Sequence, residues 1–307
     1  MDGTPPGSAS SPPRAEVLGS GRAAWLASLP ERIDELTRRW GLRLSEPFGP
    51  GGSGSWVAPG TDSDGREIVL KLTRRHTEAL HEAEGLAMLG GQAAVEMYAF
   101  AHLAPMAGAG QGGDMTALVL ERCRPGTQLR WRPEAEQHGV VIDLLRSVWS
   151  LALAPDHPFR PLSEMVDDWV SRAEALLIAS PGRLDRGLAR EGLALFRQLS
   201  RPRPTDVLLL TDLHAGNVLS AERRPWLVID PKPYIGDPHY DVVQHLLNCG
   251  RSLEEDPIRL LAHVADLADL DAGRVRQWLL ARCVQESLAE VPSWPGLHGV
   301  LRQLGDP

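Results

Sequence analysis

The chain has 307 residues, 43% of them apolar and 23% charged, with a formal net charge of −8 at neutral pH. That length suits two lobes sharing a cleft better than one small domain. No Lys/Arg cluster runs longer than a pair, which argues against nucleic acid as a partner, because such binding rests on phosphate neutralisation by cations. An acidic chain instead favours a cationic small molecule. No run of eighteen apolar residues is present, so no transmembrane helix and no membrane partner are expected. Residues 1–20, MDGTPPGSASSPPRAEVLGS, are rich in Pro, Gly and Ser and lack an apolar core. They read as a disordered tail and not as a signal peptide, which leaves the protein in the cytoplasm. Cys123, Cys249 and Cys283 are odd in number and far apart. That argues against a disulfide framework and a zinc site, and makes them small buried apolar groups.

From Gly21 to Trp40 the apolar residues Trp25, Leu26, Leu29, Ile33, Leu36 and Trp40 have helical spacing, with an interruption expected near Pro30. Gly41–Phe48 reads as a strand, followed by a loop with glycines at 49, 51, 52 and 54. Strands at Trp56–Ala58 and Ile68–Leu72 follow, separated by a turn at Asp62–Gly65. A strand–glycine loop–strand order allows Gly52 and Gly54 to bring backbone N–H groups close to phosphates, because glycine has no Cβ. A plain flexible hairpin explains the glycines equally. No G-x-x-x-x-G-K-[ST] sequence occurs, which excludes a P-loop, and no G-x-G-x-x-G opens a helix after a strand.

Lys71 interrupts an apolar strand. A buried ammonium requires a carboxylate or phosphate partner, and the next helix, Glu78–Leu89, offers Glu82, with Glu84 as a rival. An exposed lysine on an edge strand is the competing reading. Strands are expected at Val95–Phe100 and Ala117–Leu120, the second leading through Glu121–Cys123 into a Pro125–Gly126 turn that marks a crossover between lobes. The remainder reads as mainly helical: Gly139–Leu153, Leu162–Ala179, Leu184–Leu199, Val242–Leu247, Ile258–Leu270 and Gly273–Leu288.

Within that helical part, Val207–Asp241 stands out. Val207–Leu210 reads as a strand delivering Asp212, with Asn217 five residues later. Trp226–Ile229 reads as a second strand delivering Asp230, the two joined by a tight loop. Oxygen ligands at converging strand ends suit a Mg²⁺-bound phosphate. A polar hairpin is the bland alternative.

The order Lys71, Glu82, Asp212, Asn217, Asp230 resembles the kinase-like antibiotic kinases. More narrowly, Leu209–Leu219 (LLTDLHAGNVL), Trp226–Pro233 (WLVIDPKP), Gly236–Pro238 and Asp241 resemble the aminoglycoside/hydroxyurea resistance kinases. One departure is Leu210–Thr211, where such relatives often carry His-Gly or His-Trp before the aspartate.

The resemblance implies an α+β, protein-kinase-like fold of two lobes. The N-lobe, residues 21–122, would have an antiparallel sheet plus helix, and the C-lobe, residues 123–307, would be larger and mainly helical. It implies ATP, or GTP, with Mg²⁺ as cofactors. Asp212 is the expected catalytic residue, orienting or accepting the proton of a substrate hydroxyl. Asn217 and Asp230 are the expected metal ligands. Lys71, held by Glu82, is expected on the α/β-phosphates, with the Gly52/Gly54 loop above and backbone at Glu121 and Cys123 near the base. His214 is expected to stabilise the loop, Asp237 and Asp241 to brace it, and Lys232 to lie at the surface or touch phosphate.

The absence of an activation-loop segment points away from a protein substrate. The implied acceptor is a small hydroxylated, cationic molecule, a streptomycin-like aminoglycoside, acted on by a monomer or dimer. Hydroxyurea or another metabolite is the alternative acceptor, and a non-catalytic nucleotide-binding protein the alternative class. Candidate pocket groups are Asp167, Asp168, Trp278, Glu286 and Glu290, though each carboxylate also fits a solvated helix face.

Overall fold

The structure, a computed structural model, describes residues 20–49, 54–104, 114–180, 182, 184–289 and 296–305. The expected tail lies outside those residues up to position 19, as do Gly52 and Glu290. Helix α1 (Ser20–Trp40) leads into a five-stranded antiparallel sheet of order β1-β2-β3-β5-β4. Its strands are β1 (Arg43–Leu44), β2 (Ser55–Thr61), β3 (Glu67–Arg74), β4 (Met97–Leu103) and β5 (Met115–Glu121), with α2 (Glu82–Leu89) between β3 and β4.

Strand periodicity of two explains how this sheet sorts its side chains. Ile68, Leu70 and Leu72 of β3, with Ala117 and Val119 of β5, form one core with Trp25, Leu29 and Leu36 of α1. Lys71 has the opposite parity. Its cross-strand partner Leu118 joins a second core with Leu120 and, from α2, Ala83, Leu86 and Leu89. The lysine is thereby delivered to the face where α2 lies.

The rest is mainly helical, as expected: α3 (Glu134–Trp149), α4 (Leu162–Ala179), α5 (Arg186–Leu199), α6 (Pro238–Leu247), α7 (Arg251–Glu255), α8 (Pro257–Ala268), α9 (Ala272–Ser287) and α10 (Leu297–Gly305). Its core centres on Phe196, Tyr240 and Trp278, with ring centroids 5.0 Å apart for Tyr240–Trp278 and 5.9 Å for Phe196–Trp278. Helices α5 and α9 approach so closely that a Cβ on Gly192 would lie 2.6 Å from Val284. Among the described residues no helix is long and apolar enough to cross a membrane.

Three expectations are corrected. Helix α1 runs through Pro30 without a break. The proline is on the solvent side, and its cost of about 3 kcal/mol is offset by burying Trp25, Leu29 and Leu36 at roughly 1.5–3 kcal/mol each. The strand expected over Gly41–Phe48 shortens to Arg43–Leu44. Ser45 still donates to Pro59 O at 2.8 Å, but Pro59 has no N–H to return, so the ladder ends there.

The third correction concerns the chemical stretch. Strand β6 (Val207–Leu209) pairs with β9 (Tyr234–Gly236), while β8 (Trp226–Val228) pairs with β7 (Val218–Ser220). Asp212 and Asp230 therefore follow strands of two different ribbons. The 3₁₀ turn Ala215–Asn217 re-aims the chain and starts a strand of its own, which takes β8 as partner.

Asp237 ties the β6–β9 ribbon to the helical core. Its carboxylate accepts from His239 N–H at 3.1 Å and Trp278 Nε1 at 2.8 Å, and pairs with Arg274. Burial alone would raise its pKa, but hydrogen bonds from His239, Trp278 and Arg274 outweigh that and hold the carboxyl well below the usual carboxylate range. A depressed folded pKa contributes stability that is present above the unfolded value of about 3.9 and is lost as pH falls toward the folded one. Replacement Asp237→Ala should cost about 3 kcal/mol, because the fully buried Trp278 N–H and the half-buried Arg274 both lose their acceptor. Urea unfolding at neutral pH measures this. In Asp237→Asn the loss of stability between about pH 5 and about pH 3 should be shallower than in the parent chain.

Candidate active site

The site is assembled around a buried lysine. Lys71 Nζ lies 2.5 Å from Glu82 Oε1 and 2.7 Å from Asp230 Oδ1. Lys71 is 6% exposed and Glu82 1%. Burial alone would lower the lysine's pKa, but Asp230 and Glu82 outweigh it and raise it, so the ammonium stays charged. The Asp230 carboxyl is pushed up by burial and pulled further down by Lys71 and Lys232, ending well below the usual range. Glu82 is raised by its burial, against the pull of Lys71. Glu84, the rival partner, is not engaged with Lys71: the ammonium's two carboxylates come from Glu82 and Asp230.

A second ammonium–carboxylate pair sits beside the first. Lys232 Nζ donates to Asp212 Oδ2 at 2.5 Å. Burial would lower the Lys232 pKa, but Asp212 and then Asp230 raise it well above the ordinary lysine value. Reading Lys232 as a surface group missed this pairing. The signal for it was present in Ile229-Asp-Pro-Lys, where the lysine follows the metal-type aspartate by two residues on a chain stiffened by Pro231.

Asn217 completes the constellation. Its Nδ2 donates to Asp212 O at 3.1 Å, which leaves the amide oxygen as the atom for a cation. Ile229 N–H donates to Asn217 O at 2.9 Å, so the β7–β8 ribbon sets Asn217 beside the residue that precedes Asp230. An aspartate and an amide oxygen on adjacent chains fit a hard divalent cation.

The catalytic-type loop is held in an unfavourable backbone. Thr211 has φ +40 and Asp230 φ +57, a region costly for side chains other than glycine and especially for a β-branched one. Asp241, buried in the first turn of α6, supplies the restraint. Its carboxylate accepts from Leu210 N–H at 3.0 Å, Thr211 N–H at 2.8 Å and Trp149 Nε1 at 3.1 Å. Burial pushes this carboxyl up to about 6 against the hydrogen bonds of Leu210, Trp149 and Thr211. Thr211 Oγ1 also donates to Lys232 O at 2.8 Å, which joins the two loops. His214 accepts from Gly216 N–H at 3.0 Å through Nδ1, capping the 3₁₀ turn that ends at Asn217.

Other expected site residues lie as follows. Glu121 donates its N–H to Glu96 O at 2.8 Å, and its carboxylate pairs with Arg223 at 2.7 Å. Cys123 follows at the crossover and is itself buried. At Gly54 an added Cβ would meet nothing nearer than His76 at 3.8 Å, so packing does not demand glycine there. Trp278 is wholly buried and belongs to the core. Asp167 pairs with Arg197, Asp168 with Arg172, and Glu286 with Arg282. The cleft over Asp212 is lined instead by Glu78, Met165, Trp169, Gln244 and Arg282, together with Thr211 and Lys232. Arg282 stacks over Trp169 at 4.4 Å. No local motif marks these groups, which come from the turn at Glu78, helices α4, α6 and α9, and the loops of Thr211 and Lys232.

A lysine–glutamate pair on sheet and helix, facing two aspartates and an asparagine at ribbon ends, defines a two-lobed, kinase-like phosphotransferase of α+β class. Residues 39–291 match the profile of the aminoglycoside/hydroxyurea antibiotic resistance kinases, and the chain belongs to that family. As a member it is a small-molecule kinase. It is 34% identical to a hydroxyurea phosphotransferase of Kitasatospora aureofaciens over 89% of this chain and 76% of the relative. It is 30% identical to a streptomycin 6-kinase of Streptomyces griseus over 87% of this chain and 85% of that one.

Among solved structures, the amicoumacin kinase hAmiN in complex with AMP-PNP, Ca²⁺ and Ami shares the fold at a TM-score of 0.62 and 15% identity, covering 92% of this chain and 93% of its own. Choline kinase LicA from Streptococcus pneumoniae does so at 0.54 and 15%, covering 92% of each chain.

The bracing role of Asp241 has a separable consequence. Asp241→Asn replaces one acceptor oxygen by an N–H₂ that opposes the N–H groups of Leu210 or Thr211. Displacing Asp212 by even a fraction of an ångström should lower kcat roughly 10²-fold. Nucleotide Kd should stay within about twofold, because Lys71 and Glu82 are untouched. Steady-state kinetics paired with nucleotide titration checks this, and equal losses in both would reject it.

Proposed function

We propose that this chain is an O-phosphotransferase moving the γ-phosphoryl of ATP, with Mg²⁺, to a hydroxyl of a streptomycin-like aminoglycoside. The observation that carries the reading is the paired arrangement of Lys71 with Asp230 and Lys232 with Asp212, two charged lysines side by side in a cleft. Residues 21–122 form the nucleotide-holding lobe and 123–307 the acceptor lobe. Asn217 and Asp230 would hold the Mg²⁺, which would supply positive charge to neutralise the charge developing on the transferring group. Lys71, aimed by Glu82, contacts the α/β-phosphates. Backbone at Gly54 lies near them, and the Glu121 carbonyl with Cys123 backbone meets the base.

Asp212 receives the acceptor hydroxyl and orients its oxygen for in-line attack. It is a weak base, so alignment contributes more than proton removal. Lys232 keeps the Asp212 carboxylate in one orientation and presents a positive charge beside the transferring group. The strained Thr211 backbone, fixed by Asp241, places Asp212 before any substrate arrives. The cleft sets Glu78 and Asp212 against Lys232 and Arg282 and is charge-balanced, so the support for a cationic acceptor is the chain's net charge of −8. The protein works in the cytoplasm, as a monomer or dimer; its three cysteines are free thiols. Hydroxyurea is the second acceptor to consider, because of the 34% identity to a hydroxyurea phosphotransferase.

Incubating the protein with Mg-ATP or Mg-GTP and each of streptomycin, other aminoglycosides and hydroxyurea, then reading the mass gain of one phosphoryl group, tests the assignment. Modification of streptomycin is expected; transfer to hydroxyurea alone would reassign the acceptor, and transfer to none would reject the reading. Asp212→Ala should lower kcat by roughly 10²- to 10⁴-fold, and Lys232→Met by roughly 10²-fold. Asp230→Ala should abolish the Mg²⁺ dependence of nucleotide binding, as calorimetry with and without the metal would show.

A further inference from the structure

Helix α3 carries two ligand-type side chains four residues apart on one face, Glu134 and His138, while α6 carries His245 and the chain just past its C-terminal end carries Cys249. Where the helices meet, His138 Nδ1 lies 2.8 Å from His245 Nε2, and Cys249 Sγ lies 4.0 Å from the same Nε2. All three ligand atoms fall within 4.8 Å of one another. The histidines are 4% and 1% exposed, whereas Cys249 is only partly buried, which provides a way in. Spacing along the sequence set the cysteines aside as zinc ligands. The fold supplies imidazoles in place of further thiols.

The surroundings match what a metal-binding histidine requires. The other ring nitrogen of His138, Nε2, faces Glu134 Oε1 at 3.4 Å, and Glu134 is itself steadied by Ser252 Oγ at 2.9 Å. A carboxylate on the distal nitrogen fixes the tautomer and turns the remaining lone pair toward the metal. With Nε2 of His138 donating to Glu134, its Nδ1 is an acceptor that points at His245. Zinc bonds of about 2.0–2.1 Å to nitrogen and about 2.3 Å to sulfur separate tetrahedral ligand atoms by about 3.3–3.6 Å. The two nitrogens need to part by about half an ångström, and the sulfur to approach His245 by a similar amount.

We propose that His138 Nδ1, His245 Nε2 and Cys249 Sγ form a zinc site, completed by water and oriented by Glu134, that staples α3 to α6. Binding releases the thiol proton of Cys249 to solvent. His245 shifts its Nε2 proton to Nδ1, a buried ring nitrogen with no hydrogen-bond partner, so one proton leaves per metal. The ligand set is two imidazoles and a thiolate, which suits Zn²⁺ and excludes Mg²⁺. The staple acts on structure and not on the reacting groups: α6 also carries Asp241, the residue that holds Leu210 and Thr211.

The test is titration of chelator-treated protein with Co²⁺ and Zn²⁺. Co²⁺ should give a thiolate-to-metal charge-transfer band in the near ultraviolet at one equivalent, which the cysteine-free Asn217/Asp230 pair has no means to produce. Zn²⁺ should displace it and raise Tm by several degrees at a hundredfold excess over Kd. Cys249→Ala should lose the band, and Glu134→Gln should weaken Zn²⁺ 10- to 100-fold while keeping it. Should either variant fail to fold, X-ray absorption of the zinc-loaded parent chain still decides, with one sulfur and two imidazole nitrogens expected. No charge-transfer band, a band surviving in Cys249→Ala, or a sulfur-free zinc shell would each overturn the proposal.

Discussion

A single ammonium, that of Lys71, forces most of the remaining architecture. Burying a charge of that kind costs several kcal/mol unless it is paired, and this chain pairs it from two directions. Glu82 arrives on the first turn of α2, and Asp230 arrives from a ribbon 159 residues further on. The lysine therefore couples the sheet, α2 and the helical lobe. Its surroundings are apolar on the sheet side, through Leu70 and Leu72 on the opposite face and Leu118 across the strand. Those neighbours keep water out and make the pairing strong. They also mean that removing one partner leaves the others uncompensated.

The same logic runs through the catalytic-type loop at a smaller scale. Thr211 and Asp230 occupy left-handed backbone, a local cost on the order of 1–3 kcal/mol each. Local preference would relax both. They persist because carboxylate acceptors anchor the peptide groups around Thr211 from α6 while Lys71 anchors the Asp230 side chain. The strain is thus transferred into the helical core through Asp241, and from Asp237 into Trp278 and Arg274. Pre-organisation of Asp212 follows from the stability of that core, not from any contact Asp212 makes with substrate.

Legibility in the sequence divides along physical lines. Helices α4, α5, α8 and α9 were readable because an apolar stripe repeats locally, and Lys71 was conspicuous as a charge in an apolar strand. The ribbon pairings were not readable. Strands of three residues have too few alternating positions to specify a partner, and the turn at Ala215–Asn217 changes direction within one residue triplet. Helix α1 misled for the opposite reason, since a proline rule of local origin lost to burial of a whole face. Lys232 was visible as a residue, but its partner was not, because the Lys232–Asp212 contact depends on how two separate ribbons meet. The acceptor cleft was the least legible part: Glu78, Trp169, Gln244 and Arg282 come from four elements, and none carries a spacing signal.

That asymmetry bears on how this fold separates its two tasks. Asp212, Asn217 and Asp230 are set by short ribbons whose geometry depends on backbone pairing and buried ion pairs, so a single misplaced residue disturbs the whole set. Cleft groups such as Gln244 sit half-buried on helices whose other faces are committed to the core, through Val243 and Leu246 in the case of α6. Exchanging such a side chain alters the cleft's charge and shape with little change to the packing beneath. A scaffold built this way keeps the transfer step constant while its acceptor changes. Relatives named for streptomycin and for hydroxyurea, acceptors of very different size, are what such a division of labour permits.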